Sequence, residues 1–133
     1  MKRLTQILLL AIIGLSLSSC SKIVEDKIAG TYRLDRAFKN GSDYTQTFNT
    51  LMANYKLVLA DGGTYVISYV TIGINQNESG SWSVSDKGKK ITIIPNDTNK
   101  ESSIWTIIEY KKGNLKVQYP TGGDIYEYHL KKD

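Results

Sequence analysis

The sequence predicts an all-β protein: an eight-stranded antiparallel up-and-down meander that closes into a barrel, with one short helix between the first two strands. Three observations lead there. Runs of β-branched and aromatic residues alternate with polar ones from Thr31 onward. Turn signals such as Asn40-Gly41, Asp61-Gly62-Gly63, Lys87-Gly88 and Lys112-Gly113 separate these runs at short spacing. One segment alone in this stretch has its apolar residues at helical spacing. Short connections make neighbouring strands antiparallel, and closure removes the edges that an open meander would expose.

Before the strands, Lys2 and Arg3 precede an apolar run from Ile7 to Leu17 and the small residues Ser18-Ser19. A charged start, a short greasy core and a small-residue exit describe a secretory signal. A spanning helix needs about 20 apolar residues, more than this run supplies. The segment Leu17-Ser18-Ser19-Cys20 resembles the lipobox of bacterial lipoproteins. That resemblance implies cleavage after Ser19, a diacylglycerol thioether on Cys20 and acylation of the new N-terminus; several acyl chains anchor stably where one holds only marginally. Ser21, rather than Asp, in the next position directs the expectation to the outer membrane, on its periplasmic face or at the cell surface. The chain thus divides into a signal peptide (1–19), a lipidated N-terminus with a short polar tether (20–27) and a barrel domain (28–133).

The first strand is Thr31 to Phe38, where Tyr32 and Leu34 alternate with Arg33 and Asp35. Asn40-Gly41-Ser42-Asp43 is a turn and cap signal, and Phe48, Leu51 and Met52 at i, i+3 and i+4 give a helix over 43–53. Tyr55, Leu57 and Leu59 make the next strand. Thr64 to Ile72 is the longest and is apolar on both faces, which predicts that its outer face is covered within the chain. A Gly-, Asn- and Ser-rich loop (73–79) leads to Trp82 and Val84; Asn77-Glu78-Ser79 within it fits a glycosylation sequon of little weight in a bacterial lipoprotein. Strands follow at Lys90–Ile94, Ser103–Tyr110, Leu115–Tyr119 and Tyr126–Leu130, with Pro95-Asn96-Asp97, Lys112-Gly113-Asn114 and Pro120-Thr121-Gly122-Gly123 between them.

These motifs, taken in order, resemble the small lipoproteins with a lipocalin-like domain, as found among the Bacteroidota. Ile28-Ala29-Gly30-Thr31-Tyr32 stands for their Ile-x-Gly-x-Trp start, and Asp61-Gly62-Gly63-Thr64-Tyr65 for their Asp-Gly-Thr-Tyr hairpin. Gly80-Ser81-Trp82, Ile104-Trp105-Thr106-Ile107 and Leu115-Lys116-Val117 follow, so the likeness runs from Ile28 to Leu130. Tyr32 replaces the usual Trp, and the hairpin carries one extra Gly. Where lipocalins place an Arg that packs over the first-strand Trp, only Lys131 and Lys132 follow Leu130.

An eight-strand barrel is just wide enough to be filled by its own side chains or to hold one small ligand. Tyr65, Tyr69, Trp82, Trp105, Tyr126 and Tyr128 are the candidate lining residues, since aromatic rings give apolar area with a polar tip. Phe48, Leu51 and Met52 are the candidate lid or plug of the barrel mouth. One His and one Cys leave no Cys/His pair and no His-rich metal cluster. His129 alternates with Tyr128 and Leu130 and is expected to face solvent; Glu109 and Glu127 lie in strands and are the acids that could approach each other, again on the outer face. Without Lys2 and Arg3 the chain has 15 basic and 13 acidic side chains, too even a balance for nucleic acid. The expected protein is therefore not an enzyme and carries no cofactor. It is a lipid-anchored envelope protein that binds a small apolar or amphipathic molecule; the alternative is a filled barrel whose outer surface and loops recognise an envelope protein or glycan.

Overall fold

Alternation of inward apolar and outward polar residues allows each strand to bury one face, and short turns let consecutive strands pair. The computed structural model describes residues 20–133, so the signal peptide expected over 1–19 lies outside the described residues. A helix, α1, covers 20–28. After it come β1 (Gly30–Lys39), the two-residue β2 (Ser42–Asp43), α2 (Thr45–Leu51), β3 (Ala53–Leu59), β4 (Thr64–Thr71), β5 (Ile74–Ser85), β6 (Lys90–Pro95), β7 (Ser103–Lys111), β8 (Asn114–Thr121) and β9 (Asp124–Lys132). β1 pairs with β3, each later strand pairs with the next, and β9 returns to β1. All these pairings are antiparallel. The result is a closed eight-stranded up-and-down barrel of lipocalin-like build, with α2 and the short β2 inserted between its first two strands.

The two ends differ. At the closed end lie the turns 60–63, 86–89 and 112–113, and α1 crosses it. Ile28 is wholly buried and Val24, one turn earlier on the same side of the helix, packs against the core and against Gly88. Three barrel side chains then satisfy the carbonyls that the end of a helix leaves open. Tyr32 Oη donates to Ile28 O at 2.6 Å, and Tyr110 Oη and Lys132 Nζ donate to Lys27 O at 3.0 and 3.1 Å. Residues 21–27 are therefore helical and docked, where a polar tether was expected. The Lys132 ammonium also sits 5.8 Å from the Tyr32 ring centroid. This Lys over a Tyr ring joins the last strand to the first.

Inside, Tyr32, Leu57, Leu59, Tyr65, Trp82, Ile91, Leu115 and Leu130 are buried side by side. Trp82 Nε1 donates to Ala60 O at 2.9 Å, so its one polar atom is satisfied. Gly80 is required for close approach: a Cβ there would overlap the Ile94 carbonyl oxygen and stand 2.8 Å from the Tyr65 ring, which lies across it.

Two further expectations change. β5 begins at Ile74, so the anticipated loop over 73–79 is mostly strand, paired residue by residue with β4. The outer face of β4 is not covered by the chain: Val66 is 41% and Ile72, at the hairpin tip, 93% exposed.

Candidate functional site

The site lies at the open end, where α2, the Ile72-Gly73 hairpin, the loop 96–102 and the Gly122-Gly123 turn gather. α2 is shorter than the expected 43–53. Asp43 and Ser42 pair with β1, and Ala53 has already joined β3. Its start is held by Asp43, whose Oδ1 accepts from the Thr45 N–H at 2.9 Å while Oδ2 accepts from Arg36 at 3.0 Å. The backbone donor and the guanidinium hold the Asp43 carboxyl down at about 2.

α2 presents one buried side chain, Phe48, to the barrel. Its ring meets Tyr55 and Tyr128 edge-on, at centroid distances of 5.3 and 5.2 Å. Met52 is half-buried against the same core. Leu51, expected beside them, points away and is 53% exposed; its carbonyl, not its side chain, contributes by accepting from Thr71 Oγ1. The plug is thus Phe48 with Met52, and Leu51 is not part of it. On a helix of 3.6 residues per turn Leu51 and Met52 fall on opposite sides of Phe48, and it is the Met52 side that faces the core.

Beneath the plug is a cavity of about 180 Å³. Every barrel strand except β1 contributes to its wall: Tyr55 from β3, Ile67 and Tyr69 from β4, Glu78 from β5, Ile93 from β6, Ser103 and Trp105 from β7, Tyr119 from β8 and Tyr128 from β9. Phe48 and Met52, from α2 and the residue after it, complete the lining. The Tyr119 and Tyr128 hydroxyls share a hydrogen bond at 3.1 Å. Glu78 Oε1 accepts from Tyr65 Oη at 3.0 Å. Burial pushes the phenols of Tyr55, Tyr65, Tyr119 and Tyr128 up from their ordinary range, so each stays neutral.

The structure divides the six aromatic candidates. Tyr69, Trp105 and Tyr128 line the cavity. Tyr65 and Trp82 belong to the filled part of the barrel, Tyr65 touching the site only through its hydroxyl on Glu78. Tyr126 sits at the rim, stacked on Tyr119 at 5.7 Å and edge-on to Tyr44 at 5.9 Å. Tyr55, Tyr119 and Glu78 line the cavity without having been singled out. The first two carry the same inward alternation as their strand neighbours; Glu78 would emerge by extending the alternation of Trp82 and Gly80 back by one more step.

On the outer wall, His129 is only partly exposed, its Nε2 2.8 Å from Glu127 Oε2 and its ring 5.0 Å from Phe38. Glu109 instead pairs with Lys116 at 2.9 Å, which holds its carboxyl low. The two acids therefore do not form a couple. Among the described residues no group of three or more His, Cys, Asp or Glu side chains is placed to hold a metal ion, and no helix is long and apolar enough to cross a membrane. Cys20 is a free, exposed thiol at the start of the described chain.

No protein-family model matches this chain, and no curated protein matches it.

Proposed function

We propose that this is a lipid-anchored envelope protein, not an enzyme, held to the outer membrane through Cys20, whose barrel binds a small apolar or amphipathic molecule at its open end. The observation that carries the reading is the cavity of about 180 Å³ left inside an otherwise filled barrel. It is walled mainly by aromatic rings, the composition of small-molecule sites. It lies below the usual range of about 300–1,000 Å³, so the guest is compact. An apolar protein cavity of roughly 150 Å³ is known to admit benzene. Phe48 and Met52 act as its stopper, and Met is the side chain best suited to adapt around a guest.

The anchor and the mouth are at opposite ends. Cys20 opens the helix that packs across the closed end, so a lipid there leaves the cavity facing away from its own bilayer. A docked helix also gives the barrel less reach than a free tether would.

The test has two arms. Radiolabelled palmitate should enter the wild-type protein and not Cys20→Ser, and that variant should leave the membrane fraction. Unchanged fractionation without label would refute the anchor. Benzene-sized probes should bind saturably and shift signals of Trp105 but not of Trp82; no saturable shift would refute the ligand site. Recognition of an envelope protein or glycan by the wall is the second reading. It draws on the exposed Val66, Ile94 and Ile104 of the outer face.

A further inference from the structure

We infer that the guest of the open-end cavity is a small organic cation, an ammonium bearing compact apolar groups, with Glu78 as its counter-ion. This rests on the reading of the cavity as a ligand site and names the chemistry that site selects.

Among the lining residues Glu78 is the single carboxylate, and there is no Lys, Arg or His. Among the described residues no basic side chain lies within salt-bridge distance of it. Glu78 is half-buried and faces the barrel interior, and the Tyr65 hydroxyl is its hydrogen-bond partner there, so its charge is left to receive a cation. Its placement is fixed. Glu78 sits opposite Ile67 in the β4–β5 register, and Tyr65 Oη donates to Oε1 at 3.0 Å.

The same cavity is lined by the rings of Phe48, Tyr55, Tyr69, Trp105 and Tyr128. Ring faces carry negative quadrupole potential and attract ammonium groups, best when water is excluded, and such cages recognise quaternary ammonium ligands. Burial keeps the Tyr55, Tyr65 and Tyr128 hydroxyls protonated, so no second anion competes. The volume accommodates a compact headgroup and not an acyl chain. A carboxylate or phosphate amphiphile would meet Glu78 with no cation to receive it.

The probes are choline chloride, dimethylbutanol (its neutral isostere, with carbon in place of nitrogen) and hexanoate, titrated into the full-length chain. Proton–nitrogen correlation spectra follow the two indole signals. Choline should shift the Trp105 indole saturably, leave that of Trp82 in place, and bind about tenfold or more tighter than dimethylbutanol. Hexanoate should not bind. Glu78→Gln, which retains an acceptor for Tyr65, should reduce choline to the affinity of the isostere and leave the isostere unchanged. Equal affinities of choline and dimethylbutanol would overturn the cation and keep the cavity as a neutral-ligand site; choline affinity undiminished by Glu78→Gln would overturn Glu78 as its counter-ion. No shift of Trp105 by any probe would remove both. Should Glu78→Gln lose its dispersed spectrum, the ratio of choline to isostere in the wild type decides alone.

Discussion

The closed and open ends of the barrel are built from the same eight strands with the same alternation, yet they spend their aromatic side chains differently. At the closed end every large side chain is packed and every polar tip is used: Tyr32 on Ile28, Trp82 on Ala60, Tyr110 and Lys132 on Lys27. At the open end Tyr55, Tyr69, Trp105, Tyr119 and Tyr128 surround about 180 Å³ of space beneath a single plugging ring. A nine-residue described helix that docks by Val24 and Ile28 seals one end; a seven-residue helix that docks by Phe48 covers the other. The difference shows that closure alone does not decide whether a small barrel is filled. What decides it is how much apolar surface the chain lays over each mouth.

The sharpest way to break that comparison is to remove one Trp from each end. Truncating a buried Trp to Ala costs about 3–5 kcal/mol, more where the surroundings are fully packed. Trp82→Ala should fall at the upper end of that range, since it also removes the shorter of the two hydrogen bonds to the Ala60 carbonyl, leaving the Gly63 N–H at 3.3 Å. Trp105→Ala should fall at the lower end, because the ring already borders open space. Urea denaturation of both variants measures the gap. Equal costs would mean that the open end is as tightly built as the closed one.

Inward and outward positions were legible in the sequence, because alternation has a period of two; depth along the barrel axis was not. Tyr65, Tyr69, Trp82, Trp105 and Tyr128 all point inward as the alternation requires. Which of them meet depends on how far each strand slides against its neighbours, and that slide is a property of the closed sheet. Glu78 was hidden for a different reason. Asn75, Asn77 and Ser79 face outward and Gln76 and Glu78 inward, so a strand with polar residues on both faces looked like a loop; its pairing with β4 makes it a strand. The docking of α1 was obscured by its charges. Lys22, Glu25 and Asp26 make ion pairs along the exposed side, at 3.9 and 3.0 Å, and suggested a tether. The i, i+4 pair Val24 and Ile28 was the signal of a buried face.

A second, smaller effect probes both ends at once through pH. Burial raises the phenols of Tyr32 and Tyr65 toward the closed end and of Tyr55 and Tyr128 toward the open end above the ordinary value of 10. The native state therefore keeps protons that the unfolded chain releases. Stability from these groups is fully present below about pH 10 and falls as the pH rises through their folded values. Phenolate absorbance from these four should appear together with the loss of near-ultraviolet circular dichroism, not before it. A fraction that ionises while the dichroism is intact would show the open end loosening independently of the closed end.

The smallest expected change is a gain, at the open-end hairpin. Thr71 pairs with Ile74, leaving Ile72-Gly73 as a two-residue loop with φ of 50° and 72°, the positive values that a type I′ turn requires. Glycine adopts this region freely; a β-branched residue is strained there by about 1–2 kcal/mol. Ile72 recovers little in return, because its side chain is 93% exposed. At the closed end the positive-φ positions Asp86, Lys87 and Gly88 carry no such exposed apolar group. Ile72→Asn creates the Asn-Gly pair that this turn favours and should stabilise the barrel by about 1 kcal/mol, raising Tm by roughly 4 °C. Because Ile72 does not line the cavity, choline affinity should be unchanged. A gain in Tm coupled to weaker binding would extend the ligand site outward to the hairpin tip, and would explain why the open end retains a strained apolar residue.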